Sequence, residues 1–305
     1  MSADTPDLCV VGTLAFDDVT TPSGTREGIL GGSATYFGVA ASHFAKVGIV
    51  GVVGEDFPDE FREVLTSHDL DLAGLEVQSG GKTFHWAGSY EGDMDQANTL
   101  VTDLNVLETF APKLPDAFRD CPYVFLANTD PKIQMDVYNQ LNDPRLVVLD
   151  TMNLWIDIAR DALLAVMQKV DGIVINDAEA KSLTGEGNLI AAGRALLDLG
   201  PRFAIVKKGE HGSFLFSEKR LFALPSYPLD TVVDPTGAGD SFAGGVMGYL
   251  AGTNAQRVDD VIRAMLYGTV VASFTVSDFS LDVLGKLDRD TLDERVDELR
   301  SFIRT

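Results

Sequence analysis

The sequence predicts an α/β protein, a three-layer, doubly wound and mostly parallel sheet carrying a small β-strand lid. Three observations predict it: short, wholly apolar runs recur, helical apolar periods lie between them, and two stretches of strand-like alternation break the rhythm. The apolar runs are Leu8 to Val11, Val47 to Val53, Tyr123 to Leu126, Leu146 to Leu149, Ile173 to Ile175 and Phe203 to Val206. A strand apolar on both faces is covered on both faces, as in a parallel sheet. The helical periods run Ala34 to Ala45, Phe57 to His68, Ile133 to Leu141, Ile158 to Val170 and Leu189 to Leu199, with an amphipathic helix expected over Asp290 to Arg304. The breaks fall at about 14–30 and 75–102, where VQSGGKTFHWAGSY alternates around a GG turn. They read as insertions forming a lid that would cover a crevice beyond the strand ends. No repeat, low-complexity tract or linker interrupts the chain, so residues 1–305 are expected to form one domain.

Charge and cysteine usage narrow the function classes. The 24 basic residues against 46 acidic ones give a net charge of −22, which repels nucleic-acid backbones and anionic lipid alike. The acid excess reads as a solubility feature of an acid-favouring or saline host proteome. Cys9 and Cys121 sit in apolar contexts and read as core residues of a reducing compartment. The start is acidic and polar, unlike a secretory signal, and the longest apolar stretch, Ala264 to Val276, falls short of the roughly 20 residues a membrane helix needs. A soluble, cytoplasmic protein is expected. There is no GxxxxGK[ST] loop, GxGxxG turn or GxSxG elbow, and His43, His68, His85 and His211 are scattered without metal spacing.

The strongest chemical signal is DPTGAGDSFAGG, Asp234 to Gly245. Small residues feed a helix whose apolar face is Phe242, Ala243, Val246, Met247 and Leu250, so the amides of Gly237, Ala238 and Gly239 and the helix dipole are expected to attract an anion. Asp240, in the first turn, would repel that anion unless it takes a proton from a hydroxyl attacking it. Read blandly, Asp240 only compensates the dipole and the glycines only turn the chain.

This segment resembles the C-terminal signature DTxGAGDxFxxG of the ribokinase-like (PfkB) carbohydrate and nucleoside kinases, with Pro235 in place of the usual Thr; the resemblance extends over nearly the whole chain. It implies an ATP- and magnesium-dependent kinase in which Asp240 is the catalytic base and Gly237, Ala238 and Gly239 hold the transferring phosphoryl group. Asn176-Asp177-Ala178-Glu179 resembles the family's N-x-x-E segment, which implies that Asn176 and Glu179 organise phosphates and magnesium-bound waters. VKKGEHG resembles the nucleotide-binding turn, implicating Lys207, Lys208, Gly209 and Gly212, and YGTVVASF resembles the adenine-lining helix, implicating Gly268, Thr269 and Ala272. Asp234 resembles a ligand of the monovalent cation, K+, that some members use.

On the acceptor side, GTLAFD resembles the family's G-x-x-x-x-D start and implies that Asp17 holds a pair of sugar hydroxyls, with Asp18 one residue away from the same role. Gly31 and Gly32 resemble the GG signature, but Ser33 and Tyr36 stand where ribokinases proper carry Lys and Asn, so the specificity departs from ribose. The segment Asp150 to Trp155 resembles D-x-N-x-R of acid-sugar kinases without the Arg, which favours a neutral acceptor. Phe16, Tyr36, His85, Trp86, Asn128 and Asn153 are candidates around it. The expected acceptor is a neutral sugar or polyol; a nucleoside or inositol is the alternative, and a non-catalytic sugar sensor a third reading. A homodimer paired through the lid is the expected assembly by resemblance.

Overall fold

The computed structural model describes residues 5–92, 94 and 96–303. In chain order the first half comprises β1 (Leu8–Val11), β2 (Ala15–Thr21), β3 (Gly24–Gly31), α1 (Ser33–Ser42), β4 (Val47–Gly54), α2 (Asp59–Ser67), β5 (Asp71–Gln78), β6 (Phe84–Ser89), β7 (Asn98–Asp103), α3 (Asp116–Arg119), β8 (Tyr123–Leu126), α4 (Pro131–Tyr138) and β9 (Leu146–Asp150). The second half comprises α5 (Asn153–Ile158), α6 (Arg160–Met167), β10 (Gly172–Asn176), α7 (Asp177–Thr184), α8 (Leu189–Asp198), β11 (Phe203–Lys207), β12 (Ser213–Ser217), β13 (Leu221–Leu224), α9 (Ala238–Gly252), α10 (Val258–Thr275) and α11 (Arg289–Ile303).

Nine strands form the main sheet in the order β13-β12-β11-β10-β9-β8-β1-β4-β5, parallel except for β12 and β13. The apolar runs fill its centre, and every residue of β1, β4, β8 and β9 is buried. One face packs against α1, α9, α10 and α11 through Phe37, Val246, Val270 and Val296. The other packs against α3, α4, α6 and α8 through Phe118, Ile133, Leu163 and Leu196. The predicted three-layer α/β fold is the observed one. Strand order reverses between β8 and β1, and a crevice outside the carboxyl ends of the strands opens at such a switch point.

The lid is a separate four-stranded sheet, β3-β2-β6-β7. Its expected second segment, 75–102, divides: Leu75 to Gln78 belong to β5 at the edge of the main sheet, and only β6 and β7 join the lid. The GG turn, Gly80 and Gly81, therefore passes between sheets instead of closing a hairpin, and β6 pairs parallel to β2. The helix expected over Ile158 to Val170 is observed as α6, Arg160–Met167; Ile158 instead ends the separate α5, and Ala159, whose backbone (φ −134°, ψ 28°) leaves the helical region, divides the two. The antiparallel edge β12–β13 was not among the expected elements. Arg304, the expected last residue of the final helix, and Met1 to Asp4 lie outside the described residues. Among the described residues, no helix is long and apolar enough to cross a membrane.

Candidate active site

The sheet order sets the layout of the crevice. Lys207, Asn176 and Asp150 end β11, β10 and β9, Asn128 follows β8 and Thr13 follows β1, so these polar groups line one sheet edge in that order. A wholly apolar strand spends its side chains on the core, and the first polar residue past its end faces the crevice.

Above this edge stands the N-terminus of α9. Gly237 caps it in the left-handed conformation (φ 73°), and a Cβ there would lie 2.3 Å from the Tyr36 ring, so only glycine fits. The three expected outward amides reduce to two: the Ala238 N–H turns back to the Pro235 carbonyl at 3.2 Å, while the Gly237 and Gly239 amides have no acceptor among the described residues. The Lys207 ammonium lies over Gly239, 2.7 Å from where a Cβ would be, and 4.0 Å from the Asp150 carboxylate. Lys208 makes no ion pair among the described residues.

Carboxylates crowd this spot. Burial first, then the Asp150 charge, pushes Asp240 up to about 7. Burial and Asp150 likewise push Glu179 up to about 7, against the pull of Lys207. Burial raises Asp150 itself, opposed by Lys207. Burial works against the Lys207 ammonium, yet Asp150, Glu179 and Asp240 together hold its pKa above the ordinary lysine value. The arrangement is one fixed cation among acids of raised affinity for protons, set beside two unspent amides. A hydroxyl placed between Asp240 and an anion on those amides would lose its proton to Asp240.

The N-x-x-E segment is a capping box. The Asn176 side chain accepts from the Glu179 N–H at 2.8 Å, and Glu179 Oε2 accepts from the Asn176 N–H at 2.8 Å. One Glu179 oxygen is thereby committed to the helix and the other is left for a water or ion. Among the described residues, no three His, Cys, Asp or Glu are grouped to hold a metal ion directly. Hard carboxylate oxygens of this kind fit magnesium held through waters and phosphates, not a closed protein cage.

At the acceptor end, strand alternation separates the two aspartates. Asp17 is buried; burial, with the charges of Asp234 and Asp240, pushes its pKa up to about 8. Its carboxylate occupies the space beside Gly31, where a Cβ would come within 1.9 Å of Oδ2, which accounts for the first glycine of the GG pair. Gly32 caps α1 (φ 98°), and the pull of its backbone opposes the rise in the Asp17 pKa. Asp18 points the other way, accepting from the Gly28 N–H at 2.6 Å and lying 2.9 Å from His85 Nε2. The Tyr36 hydroxyl is buried without a partner among the described residues, and Thr236 donates to the Tyr90 hydroxyl at 3.2 Å nearby. Asp234 is fully buried; Oδ1 accepts from the Thr236 N–H at 2.9 Å, and Oδ2 has no hydrogen-bond partner among the described residues.

Other candidates scatter. Phe16 packs on Phe57 and Phe61, and Trp86 covers Gly88 within the lid. Asn153 is exposed at the start of α5. Gly209 lies in an exposed turn and Gly212 approaches the Leu224 carbonyl of the sheet edge. Gly268 sits where α10 crosses α9, against the Phe242 carbonyl, with Thr269 buried and Ala272 half-buried on the same helix. Sequence reasoning passed over Asp150 as a charge partner, although an acid ending the apolar run LVVLD was a signal. Tyr90 gave none, and Thr236 and Trp155 lay inside segments the sequence marked without being singled out themselves.

With this geometry in hand, comparison with known proteins bears on family and fold. The chain is 32% identical over 268 residues to a cytidine kinase of Thermococcus kodakarensis, covering 84% of this chain and 92% of that protein. It is 25% identical over 289 residues to a nucleoside kinase of Methanothermobacter thermautotrophicus, covering 89% and 90%. In fold it is similar to an E. coli chain described as a ribokinase II in complex with ATP and Mg2+, with a TM-score of 0.78 at 18% identity over 95% of this chain and 99% of that one. The family model for pfkB family carbohydrate kinases matches residues 6–283, so the chain belongs to that family and is an ATP-dependent kinase.

Proposed function

We propose that the protein transfers the γ-phosphoryl group of ATP to a primary hydroxyl of a nucleoside, with cytidine the first acceptor to test. The observation that carries this reading is the match, over 84% of the chain, to a protein named cytidine kinase, on a site whose acceptor end is a buried carboxylate packed on a glycine pair. The sequence ranks a neutral sugar or polyol first and a nucleoside second; the relatives named cytidine kinase and nucleoside kinase support taking the nucleoside first. A nucleoside carries the ribose that Asp17 and the Gly31-Gly32 turn would grip.

In this reading Asp17 accepts hydrogen bonds from a hydroxyl pair and fixes the sugar, with Tyr36 between it and the α9 terminus. Asp240 removes the proton of the attacking hydroxyl. The Gly237 and Gly239 amides and the Lys207 ammonium stabilise charge on the phosphoryl oxygens during in-line transfer. Magnesium, when bound with ATP, neutralises phosphate charge; Glu179 and Asn176 would orient its waters. The unpartnered Oδ2 of Asp234 fits a monovalent cation such as K+. Gly268, Thr269 and Ala272 would border the adenine. A homodimer through the lid belongs to the same reading, supported by Leu100 of β7, which is 62% exposed.

The test is release of ADP from Mg-ATP with cytidine, adenosine, inosine, ribose, fructose and inositol, using Asp240→Asn as control. Acceptor-dependent release that the variant abolishes supports the kinase site and ranks the acceptors. Turnover with sugars alone would sink the nucleoside reading, and normal turnover by the variant would sink Asp240 as base.

A further inference from the structure

The main sheet divides at the carboxyl ends of β8 and β9. Their ladder closes at Leu126 and Leu149, and past that point each strand end follows its other neighbour. The Ala127 N–H donates to the Val11 carbonyl of β1 at 2.9 Å, whereas Asp150 stays in register with Val174 of β10. Ala127 belongs with the acceptor half of the crevice. A Cβ on Gly12 would lie 2.9 Å from the Ala127 methyl and 2.7 Å from Ser33 Oγ, so this methyl wedges between the turn after β1 and the start of α1. Asp150 belongs with the phosphoryl half, 4.0 Å from the Lys207 ammonium.

One side chain spans the division. Gln134, the fourth residue of α4, is fully buried. Its Nε2 donates to the Ala127 carbonyl at 2.9 Å, the Asp150 carbonyl at 3.0 Å and the Leu126 carbonyl at 3.3 Å. Carbonyls only accept, so the nitrogen of the amide must face them, and its two protons are shared among three acceptors. The amide oxygen is left buried with no hydrogen-bond partner among the described residues. A methionine or leucine would fill the same space without stranding an oxygen. What the amide adds is a pair of donors tying a carbonyl of one half to a carbonyl of the other.

We infer that Gln134 is a positioning residue that sets the separation between the acceptor half and the phosphoryl half of the crevice by holding Ala127 to Asp150. The inference deepens the proposed transfer and rests on it for what each half holds; it does not depend on the acceptor being a nucleoside. In-line transfer needs the attacking hydroxyl within about 3–3.5 Å of the phosphoryl group, and a misplacement of about 1 Å costs about 10²-fold in rate. Each half keeps its own contacts when the clamp is lost, so the rate carries the effect and binding does not.

Gln134→Met in the full-length enzyme keeps the length of the side chain and deletes both donors. With Mg-ATP it should lower kcat about 10- to 100-fold, while the KM values for ATP and for the acceptor each change by less than about 2-fold. A smaller share of the ADP released should be matched by phosphorylated acceptor, because a displaced hydroxyl competes less well with water. Gln134→His keeps one N–H at similar reach and should have a kcat between those of Gln134→Met and the wild type. A role in stability alone would lower the urea midpoint and leave the kcat and product yield of the folded enzyme at wild-type values.

An unchanged kcat in Gln134→Met, or a loss confined to one KM, would overturn the inference. Should Gln134→Met fail to fold, the same criteria apply to Gln134→His. Hydrogen exchange of the ligand-free protein reads the clamp without turnover. The Thr151 amide lies on the peptide unit whose carbonyl Gln134 holds, and it should exchange about 5- to 10-fold faster in the variant, together with the Ala127 amide, as for the loss of one neutral hydrogen bond. If the wild-type enzyme shows no acceptor-dependent release of ADP, the proposed transfer fails by itself. Unchanged exchange at both amides overturns the clamp whether or not turnover is seen.

Discussion

In the proposed mechanism Asp240 is suited to act as a base because its neighbours hold its proton affinity near neutrality: burial and Asp150 raise it, and Lys207 limits the rise. Asp240→Asn should lower kcat about 10²- to 10⁴-fold, with ATP and nucleoside still binding by calorimetry. The wild-type kcat/KM should climb with pH through about 7 as Asp240 ionises. Asp150→Asn removes a repelling charge, so Asp240 should lose its proton more readily and the climb should move to lower pH. A profile that stays in place would show that Asp150 does not act on Asp240. At this scale the motifs single out Asp240, Gly237 and Glu179 as candidates. It could not see that one Glu179 oxygen is spent on a capping box, or that the Ala238 amide folds back on Pro235, because both depend on local backbone geometry.

Among the elements, α9 explains why the segment after Asp240 is so rich in glycine. Its glycines face neighbours on two sides: a Cβ at Gly244 would lie 2.5 Å from the Phe37 carbonyl of α1, and one at Gly245 would lie 2.9 Å from Gly268 of α10. Close packing of three helices fixes the terminus that carries the two free amides. Gly268→Val should overpack the α9–α10 crossing and cost about 1–3 kcal/mol, read as a lower urea midpoint. If Gly268 also borders adenine, the ATP KM should rise in the same variant; an unchanged KM leaves it a packing residue. Trp155, in the short α5 that follows β9, lies within hydrogen-bond reach of Asn128 after β8.

For the whole molecule, acid excess and buried acids act in the same direction. Asp17, Glu179 and Asp240 have folded-state pKa values of about 8, 7 and 7, against ordinary values near 4. The folded state therefore binds more protons than the unfolded chain between pH of about 4 and 8, and stability falls as pH rises through that window. Urea unfolding of the ligand-free protein should show a higher midpoint at pH 5.5 than at pH 8. A net charge of −22 adds self-repulsion that salt screens, so raising KCl from about 0.05 to 1 M should raise the melting temperature. Both helical layers close on one continuous sheet, and we propose that residues 1–305 unfold as a single domain. One calorimetric transition with equal calorimetric and van't Hoff enthalpies is the expected result.

Local chemistry was enough for what the sequence determined: buried parallel strands follow from unbroken apolar runs, and the candidate phosphoryl end is marked by small residues placed before a helix with an acid in its first turn. The sequence also placed an acid after GTLAF, but only strand alternation against Gly31 separated Asp17 from Asp18. Tertiary structure alone decided the rest. The GG stretch after β5 looked like a hairpin because alternation reports a strand and not its partner, and β5 joined the main sheet while β6 crossed to the lid. Lys207, Asp150 and Gly239 lie far apart in the chain and act together only because strand order aligns their ends beneath α9. Trp155 and Asn128 likewise meet only because β8 and β9 are neighbours. Their hydrogen bond is non-local, so no period or motif along the chain encodes it.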